Sequence, residues 1–317
     1  MIIYQPPKAA ERISVIDFSG ALSSDLEARK AVAWEIHRAC RETGFFYLVN
    51  HGVPLDVMRR QLDLTRRFFS QPDEEKTALH IGRSPRRRGY EPLALQTLDA
   101  GAPPDLKESL MLGWEPPGAS DDEANPWPLG IEGFRAGAEA YMDHMVGLGR
   151  GLASSLALSL DLPEDYFAEG LREPNCNVRM LRYPPQPPDA QFNQLGAGAH
   201  TDWGLITILM QDHVGGLEVQ NVEGDWIRAD PVPDAFIVNL GDMVPVVTSS
   251  LYRSNYHRVL NNVSGVYRHS IATFFNPHDH YEFECAPSCR PEGYVSKTQT
   301  FGDHIQRKIA ETYGLTA

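Results

Sequence analysis

From about residue 175 onward the chain reads as a succession of short strands, and this pattern limits the fold more than any other feature. Candidate strands at 177–183, 205–211, 217–219, 226–229, 235–239, 256–260, 268–275 and 281–284 are separated by Pro, Gly, Asn and Asp. Many short strands with turn signals between them predict a sandwich or barrel. The segment from Val219 to Trp226, with Asn221 and Gly224 between its arms, predicts a hairpin. Alternation along a strand puts every second residue on one face. Arg179, Leu181 and Tyr183 therefore share a face, and so do Arg268 and Ser270.

Upstream the period is helical. Residues 14–18 read as a short strand, followed by a helix capped by Ser23 or Ser24 and ended by Gly44, with Val32, Ile36, Ala39 and Cys40 on its apolar face. Residues 45–49 predict a buried strand. A turn through His51, whose ring is expected to bond the backbone there, leads to a helix with Met58, Leu62 and Phe69 near one stripe. Pro72 before Asp73, Glu74 and Glu75 starts another helix. Residues 80–118 read as irregular apart from a strand near 108–112. A long helix over 131–160 carries Phe134, Ala138, Tyr141, Met145, Leu148 and Leu152 as one stripe, and its Gly147, Gly149 and Gly151 permit close packing on a sheet. A last amphipathic helix over 300–313 turns Phe301, Ile305 and Ile309 inward. The expected fold is mainly β with flanking helices. A mixed N-terminal region, 1–120, would pack on a core formed by 121–317.

Within the strand-rich half, His200-Thr201-Asp202 offers a nitrogen and an oxygen ligand two residues apart, which on an extended strand converge on one ion. The tripeptide alone also fits a turn-capping His200 beside a solvated Asp202. An ion held there needs a third ligand, and His257, heading an apolar run, is the best candidate. Two His and one carboxylate on one face of an octahedral ion leave three positions open, the arrangement of non-haem Fe(II) oxygenases. Ten residues beyond His257 stand Arg268 and Ser270, a guanidinium fork and a hydroxyl suited to a carboxylate. Other ligand-type residues receive plainer readings. His278-Asp279-His280 follows Asn276-Pro277 in a loop, His269 alternates away from Arg268, and Asp242 caps backbone in a turn. His144 and His304 lie on helices without partners at spacing three or four.

With these residues in place the chain resembles the 2-oxoglutarate/Fe(II)-dependent dioxygenases, in the branch that contains isopenicillin N synthase, plant flavonoid oxygenases and the ethylene-forming oxidases. The resemblance rests on His200-x-Asp202, fifty-four residues, His257, ten residues, then Arg268-x-Ser270. It extends to the stretch from Ile13 to Phe18, that from Gly44 to Pro54, Arg182-Tyr183-Pro184-Pro185, and Asn239-Leu240-Gly241-Asp242. It implies a distorted double-stranded β-helix, or jelly-roll, with Fe(II) in its open mouth on His200, Asp202 and His257. It further implies 2-oxoglutarate as co-substrate, chelating iron through its keto acid end and anchored by Arg268 and Ser270 with Tyr183 in support. Molecular oxygen would be the oxidant. Succinate and carbon dioxide would leave, and a C–H bond of a small organic molecule would be hydroxylated, desaturated or closed into a ring. Where many plant relatives carry an asparagine two residues before the tyrosine, this chain has Leu181. In the resembled synthases an arginine before a Gly-Tyr pair contacts substrate, which makes Arg87 a substrate candidate; Tyr90, Phe192, Trp203 and Phe275 are aromatic candidates for the pocket wall.

Two competing readings follow. An oxidase of the isopenicillin N synthase or amino-cyclopropane-carboxylate oxidase type shares the triad and the Arg-x-Ser pair without using 2-oxoglutarate. A non-catalytic β-barrel would bind a metal or ligand only, but would not need open coordination positions. The net charge of −13 argues against nonspecific nucleic-acid or anionic-membrane binding. The exception is the basic run Arg83 to Arg88, either a solvated loop or a dock for a carboxylate-bearing substrate. No run approaches membrane-spanning length, and the N-terminal residues lack a signal-peptide pattern. Cys40, Cys176, Cys285 and Cys289 are unpatterned, as expected of free thiols in a reducing cytoplasm. A small-molecule substrate is expected, and a monomer fits all of this.

Overall fold

The computed structural model describes residues 12–99, 101–116, 125–187 and 194–313. The chain opens with strand β1 (Ser14–Asp17), helix α1 (Leu26–Glu42), β2 (Phe45–Val49), α2 (Leu55–Phe69) and the short α3 (Asp73–Thr77). Then come β3 (Gly89–Glu91), β4 (Glu108–Gly113) and the long α4 (Phe134–Leu158). The strand-rich half runs β5 (Asn175–Tyr183), β6 (Ala197–His200), β7 (Ile206–Gln211), β8 (Leu217–Gln220), β9 (Trp226–Arg228) and β10 (Phe236–Leu240). After α5 (Met243–Val247) it continues with β11 (His257–Val259), β12 (Arg268–Asn276), β13 (Glu282–Phe283), β14 (Gln299–Thr300) and α6 (Phe301–Tyr313).

An eight-stranded sheet, ordered β1-β2-β10-β7-β12-β5-β4-β3, faces a four-stranded sheet, β6-β11-β8-β9. This is a distorted jelly-roll with helices on one side. Strands from the N-terminal part form both edges of the large sheet, so one set of ladders runs through both parts of the chain.

The two faces of the large sheet do different jobs, and strand parity assigns them. On β12, Arg268, Ser270, Ala272 and Phe274 line a cavity between the sheets. Ile271 and Phe275 belong to the core under the helices. The same split divides Arg179, Leu181 and Tyr183 from Val178 and Met180 on β5, and Ile237 and Asn239 from Phe236, Val238 and Leu240 on β10. The helix-side core takes in the stripe expected on α4, including Phe134, Tyr141, Met145 and Leu152.

Several local expectations change. Asp25, not a serine, caps α1 by accepting the Glu27 N–H at 3.0 Å. β6 has no counterpart among the strands expected from sequence; its Ala-Gly-Ala-His lacks the β-branched and aromatic residues that mark a strand. The hairpin is present as β8 and β9, its turn held by Asn221 Oδ1 accepting from the Glu223 and Asp225 N–H groups. His51 bonds backbone as expected, its Nδ1 accepting from the Val53 N–H. Among the described residues no helix is long and apolar enough to cross a membrane.

Of Gly147, Gly149 and Gly151 in α4, Gly149 is the one that close packing requires. A Cβ there would collide with the Phe275 ring, whereas Gly147 faces open space. Gly149→Ala should therefore lower stability by about 1–3 kcal/mol in urea unfolding through overpacking, against a helix-propensity gain of ~1 kcal/mol. Gly147→Ala should be neutral or stabilising in the same assay.

Candidate active site

The site is built by one cross-strand pair and one loop. His200 ends β6 and His257 begins β11, and the two are direct antiparallel partners. Their ring centroids lie 4.2 Å apart. Asp202 is not on a strand: it follows β6 in an irregular stretch, so strand alternation does not bring it to His200. That stretch is instead stitched to the β10–α5 turn. The Asp242 N–H donates to the Asp202 carbonyl at 2.8 Å and the Met243 N–H to the Gly204 carbonyl at 3.1 Å. A Cβ on Gly241 would collide with the Gly204 backbone, so this approach needs glycine.

Among the described residues, His200, Asp202 and His257 are the group able to hold a metal ion, with ligand atoms all within 4.8 Å of one another. The surroundings fit an ion. His200 Nδ1 donates to the Gly198 carbonyl at 2.7 Å, which leaves Nε2 as a bare lone pair. His257 Nε2 stands 3.9 Å from Asp202 Oδ1, while its Nδ1 is buried without a partner among the described residues. Asn239 Nδ2 donates to Asp202 Oδ2 at 2.7 Å. Burial and the adjacent His257 push His200 well below the usual imidazole range, so it is a neutral ligand. Burial would raise Asp202, but His257, His200, Asn239 and Thr207 together hold its carboxyl below the usual range, so it stays ionised.

On the same cavity wall, Arg268 is 1% exposed. Its Nη1 donates to Ser270 Oγ and its Nη2 to Gln211 Oε1, each at 3.2 Å, while Nε has no partner among the described residues. Among the described residues no carboxylate forms an ion pair with it. The guanidinium lies over the Tyr183 ring, 4.7 Å from its centroid. The cavity has a volume of about 80 Å³, and its wall also carries apolar side chains such as Leu209, Leu217, Ile237 and Val259.

Both family comparisons agree with this geometry. Residues 174–277 match the model of the 2OG-Fe(II) oxygenase superfamily, and residues 13–129 match that of the non-haem dioxygenase in morphine synthesis N-terminal region. A 2-oxoglutarate-Fe(II) type oxidoreductase of Emericella nidulans is 34% identical over 316 residues, covering 95% of this chain and 90% of the relative. The chain belongs to the 2OG-Fe(II) oxygenase superfamily. A homoarginine-6-hydroxylase of Oryza sativa subsp. japonica is 35% identical over 291 residues, 87% of each chain. A full-length Neurospora crassa protein, solved in complex with alpha-KG and thymine, superposes with a TM-score of 0.85 at 27% identity, covering 95% of this chain and 97% of that one. The protein is thus an iron- and 2-oxoglutarate-dependent oxidoreductase.

The substrate candidates named from sequence fare differently in this oxygenase. Phe275 faces the helices because it has the opposite parity to Arg268; Phe274 takes the cavity position. Tyr90 pairs with Leu110 on the helix side and donates to Glu108 Oε2 at 2.7 Å, away from the cavity. Arg87 is exposed at a φ of 54° and does not line the cavity, nor does Trp203. Phe192 lies outside the described residues. In the basic run, Arg83 bonds the Ala78 carbonyl and Arg88 is buried near Glu115, so neither forms a dock at the cavity. Asp242 does not cap its helix; it accepts from Thr201 Oγ1 at 3.1 Å and pairs with Lys308 at 2.9 Å. His304, read as having no metal-ligand partner at helical spacing, bonds the Trp203 carbonyl at 2.8 Å. Helix α6 is thereby fastened to the loop that carries Asp202.

Sequence reasoning overlooked Asn239, Gln211, Lys107 and Arg179 as parts of this site. Asn239 holds the outer oxygen of Asp202, a support whose loss typically costs 10–100-fold in metal affinity. Asn239→Ala should therefore raise the Fe(II) dissociation constant by roughly 10–100-fold in an anaerobic titration, with the folded spectrum retained.

Proposed function

We propose that this oxygenase oxidises a C–H bond of a small organic molecule, with Fe(II) on His200, Asp202 and His257. In the same reading 2-oxoglutarate is anchored by Arg268, Ser270 and Tyr183. The observation that carries the proposal is Arg268. A buried guanidinium without a carboxylate costs several kcal/mol, and here it stands in the same cavity as two imidazoles and a carboxylate already disposed around a common point. A dicarboxylate spanning the two would relieve the guanidinium at one end and meet the ion at the other.

Bound iron supplies one-electron and oxygen chemistry, and 2-oxoglutarate leaves as succinate and carbon dioxide. The chain's own part is positioning. Arg268 binds the distal carboxylate through its fork, with Ser270 fixing the fork's angle and Tyr183 covering its face. Leu209, Leu217, Ile237 and Val259 keep water from the reacting centre. Relatives named as 2-oxoglutarate-dependent, and neighbours solved with alpha-KG, favour this reading over a co-substrate-free oxidase. Neighbours solved with thymine or 5-formyluracil, and relatives named for homoarginine, support a small organic substrate in place of nucleic acid or membrane. The four free cysteines support a reducing, cytoplasmic setting. A monomer holds every residue invoked.

Anaerobic titration of the Fe(II)-loaded protein with 2-oxoglutarate should produce the visible iron–keto-acid charge-transfer band. Arg268→Ala should weaken 2-oxoglutarate binding by at least about 30-fold, the loss expected for one partner of a buried charge pair. Asp202→Ala should lose both iron and band. A band that never forms, or iron and full activity retained in Asp202→Ala, would reject the proposal.

A further inference from the structure

The cavity has a second cationic pole that 2-oxoglutarate does not use. Lys107 and Arg179 line it together with Leu98, Leu181 and Phe274. On the paired strands β5 and β12, Arg179 stands opposite Ala272 and Tyr183 opposite Arg268. Four residues of extended chain separate the two poles, roughly 13 Å. Lys107 lines the same cavity as His200, Asp202 and His257, so this pole shares the chamber of the metal group.

The acids that balance these cations stand behind them. Asp105 pairs with Lys107 through Oδ2, and its Oδ1 accepts the Gly198 N–H at 2.8 Å. Glu91 pairs with Arg179 and accepts from Ser109 Oγ at 2.7 Å. Neither acid lines the cavity. An ammonium has three N–H donors, and that of Lys107 bonds only Asp105 among the described residues. Arg179 uses Nε on Ser109 and Nη2 on Glu91 and Gln96, which leaves Nη1 unpartnered among them. Both pairs thus turn their donor ends to the cavity.

We infer that the substrate of this oxygenase carries a carboxylate, received by the Lys107 ammonium with the Arg179 guanidinium beside it. The inference rests on the function proposed above and names the substrate class for that same site. The side chains Leu98, Leu181 and Phe274 take the apolar body of the molecule, and the carbon chain next to its carboxylate lies nearest the metal group. Desolvation in the cavity wall pulls the Lys107 ammonium down to about 8 despite Asp105, and an arriving anion relieves that cost. A substrate offering only apolar groups or an amine leaves these donors unpaired, and polar sites discriminate strongly against such analogues.

The test uses the anaerobic protein loaded with Fe(II) and saturating 2-oxoglutarate. Phenylacetate, 3-phenylpropanoate and hexanoate are titrated by calorimetry beside their primary amides, with the charge-transfer band monitored throughout. At least one acid should bind about tenfold or more tightly than its amide, as a charge-assisted bond requires, with the band shifted but not lost. Lys107→Gln should remove that preference while keeping the band, and Lys107→Arg should keep both. Should Lys107→Gln lose the band, the double variant Asp105→Asn with Lys107→Gln, which leaves no bare carboxylate, is measured in its place; the acid–amide comparison on the unaltered protein decides in any case. No acid binding more tightly than its amide, a preference that survives Lys107→Gln, or an acid that displaces 2-oxoglutarate overturns the inference. A band that never forms points instead to failure of the proposed function itself.

Discussion

The site depends on the pairing of His200 with His257, which sets two imidazoles side by side, tilted by 51°, at the end of a short antiparallel ladder. Burial and the adjacent His257 drive His200 toward neutrality. The arrangement therefore presents lone pairs, and Asp202 adds the single negative charge. Because β6 and β11 are only four and three residues long, their ladder alone is a weak support. Reinforcement comes from elsewhere. Phe45 of β2 sets its ring edgewise on His257, Asn239 of β10 holds Asp202, and α6 ties down the loop between β6 and β7 through His304 and, by way of Lys308, through the Asp242 that bonds Thr201. Residues from both ends of the chain and from both sheets thus converge on a group spanned by fifty-eight positions.

A second constraint is the parity of the large sheet. One face must be apolar enough to carry three helices, and the other must present polar side chains to the cavity. Strand β12 meets both demands by alternation, with Arg268 and Ser270 on one side and Ile271 and Phe275 on the other. The close approach of α4 at Gly149, directly over Phe275, fixes that assignment. A slip of one residue would turn Arg268 into the helix-side core and Phe275 into the cavity. The same packing that stabilises the fold keeps the guanidinium aimed inward.

Much of this was legible from the chain. Turn residues between short apolar runs located most strands to within one or two residues, and the spacing of His200, Asp202, His257, Arg268 and Ser270 singled out side chains that do meet in one cavity. Parity also contained the answer for Phe274 and Phe275, since 268 and 274 are both even; choosing residues for their aromatic character alone concealed it. What could not be read locally was which distant strand lies beside which. Asn239 reaches Asp202 because β10 pairs with β7, and Tyr90 turns from the cavity because it pairs with Leu110. β6 escaped because its small residues carry no strand propensity; its neighbours in the sheet impose the conformation.

The cavity's charges also differ in how they are balanced, and this bears on the order of events. Arg268 is buried with neutral hydrogen-bond partners and feels the Asp212 carboxylate without an ion pair to it, so its desolvation is only partly offset until a carboxylate arrives. Lys107 and Arg179 already have acids behind them, so their pole carries little net charge and acts through the direction of its donors. A ligand gains more by completing the first than by joining the second. The co-substrate should therefore dominate binding to the metal-loaded protein, while the primary substrate binds more weakly and is selected by where its acceptor oxygens lie. That division suits a reaction in which the same co-substrate is always spent but the oxidised molecule must be chosen.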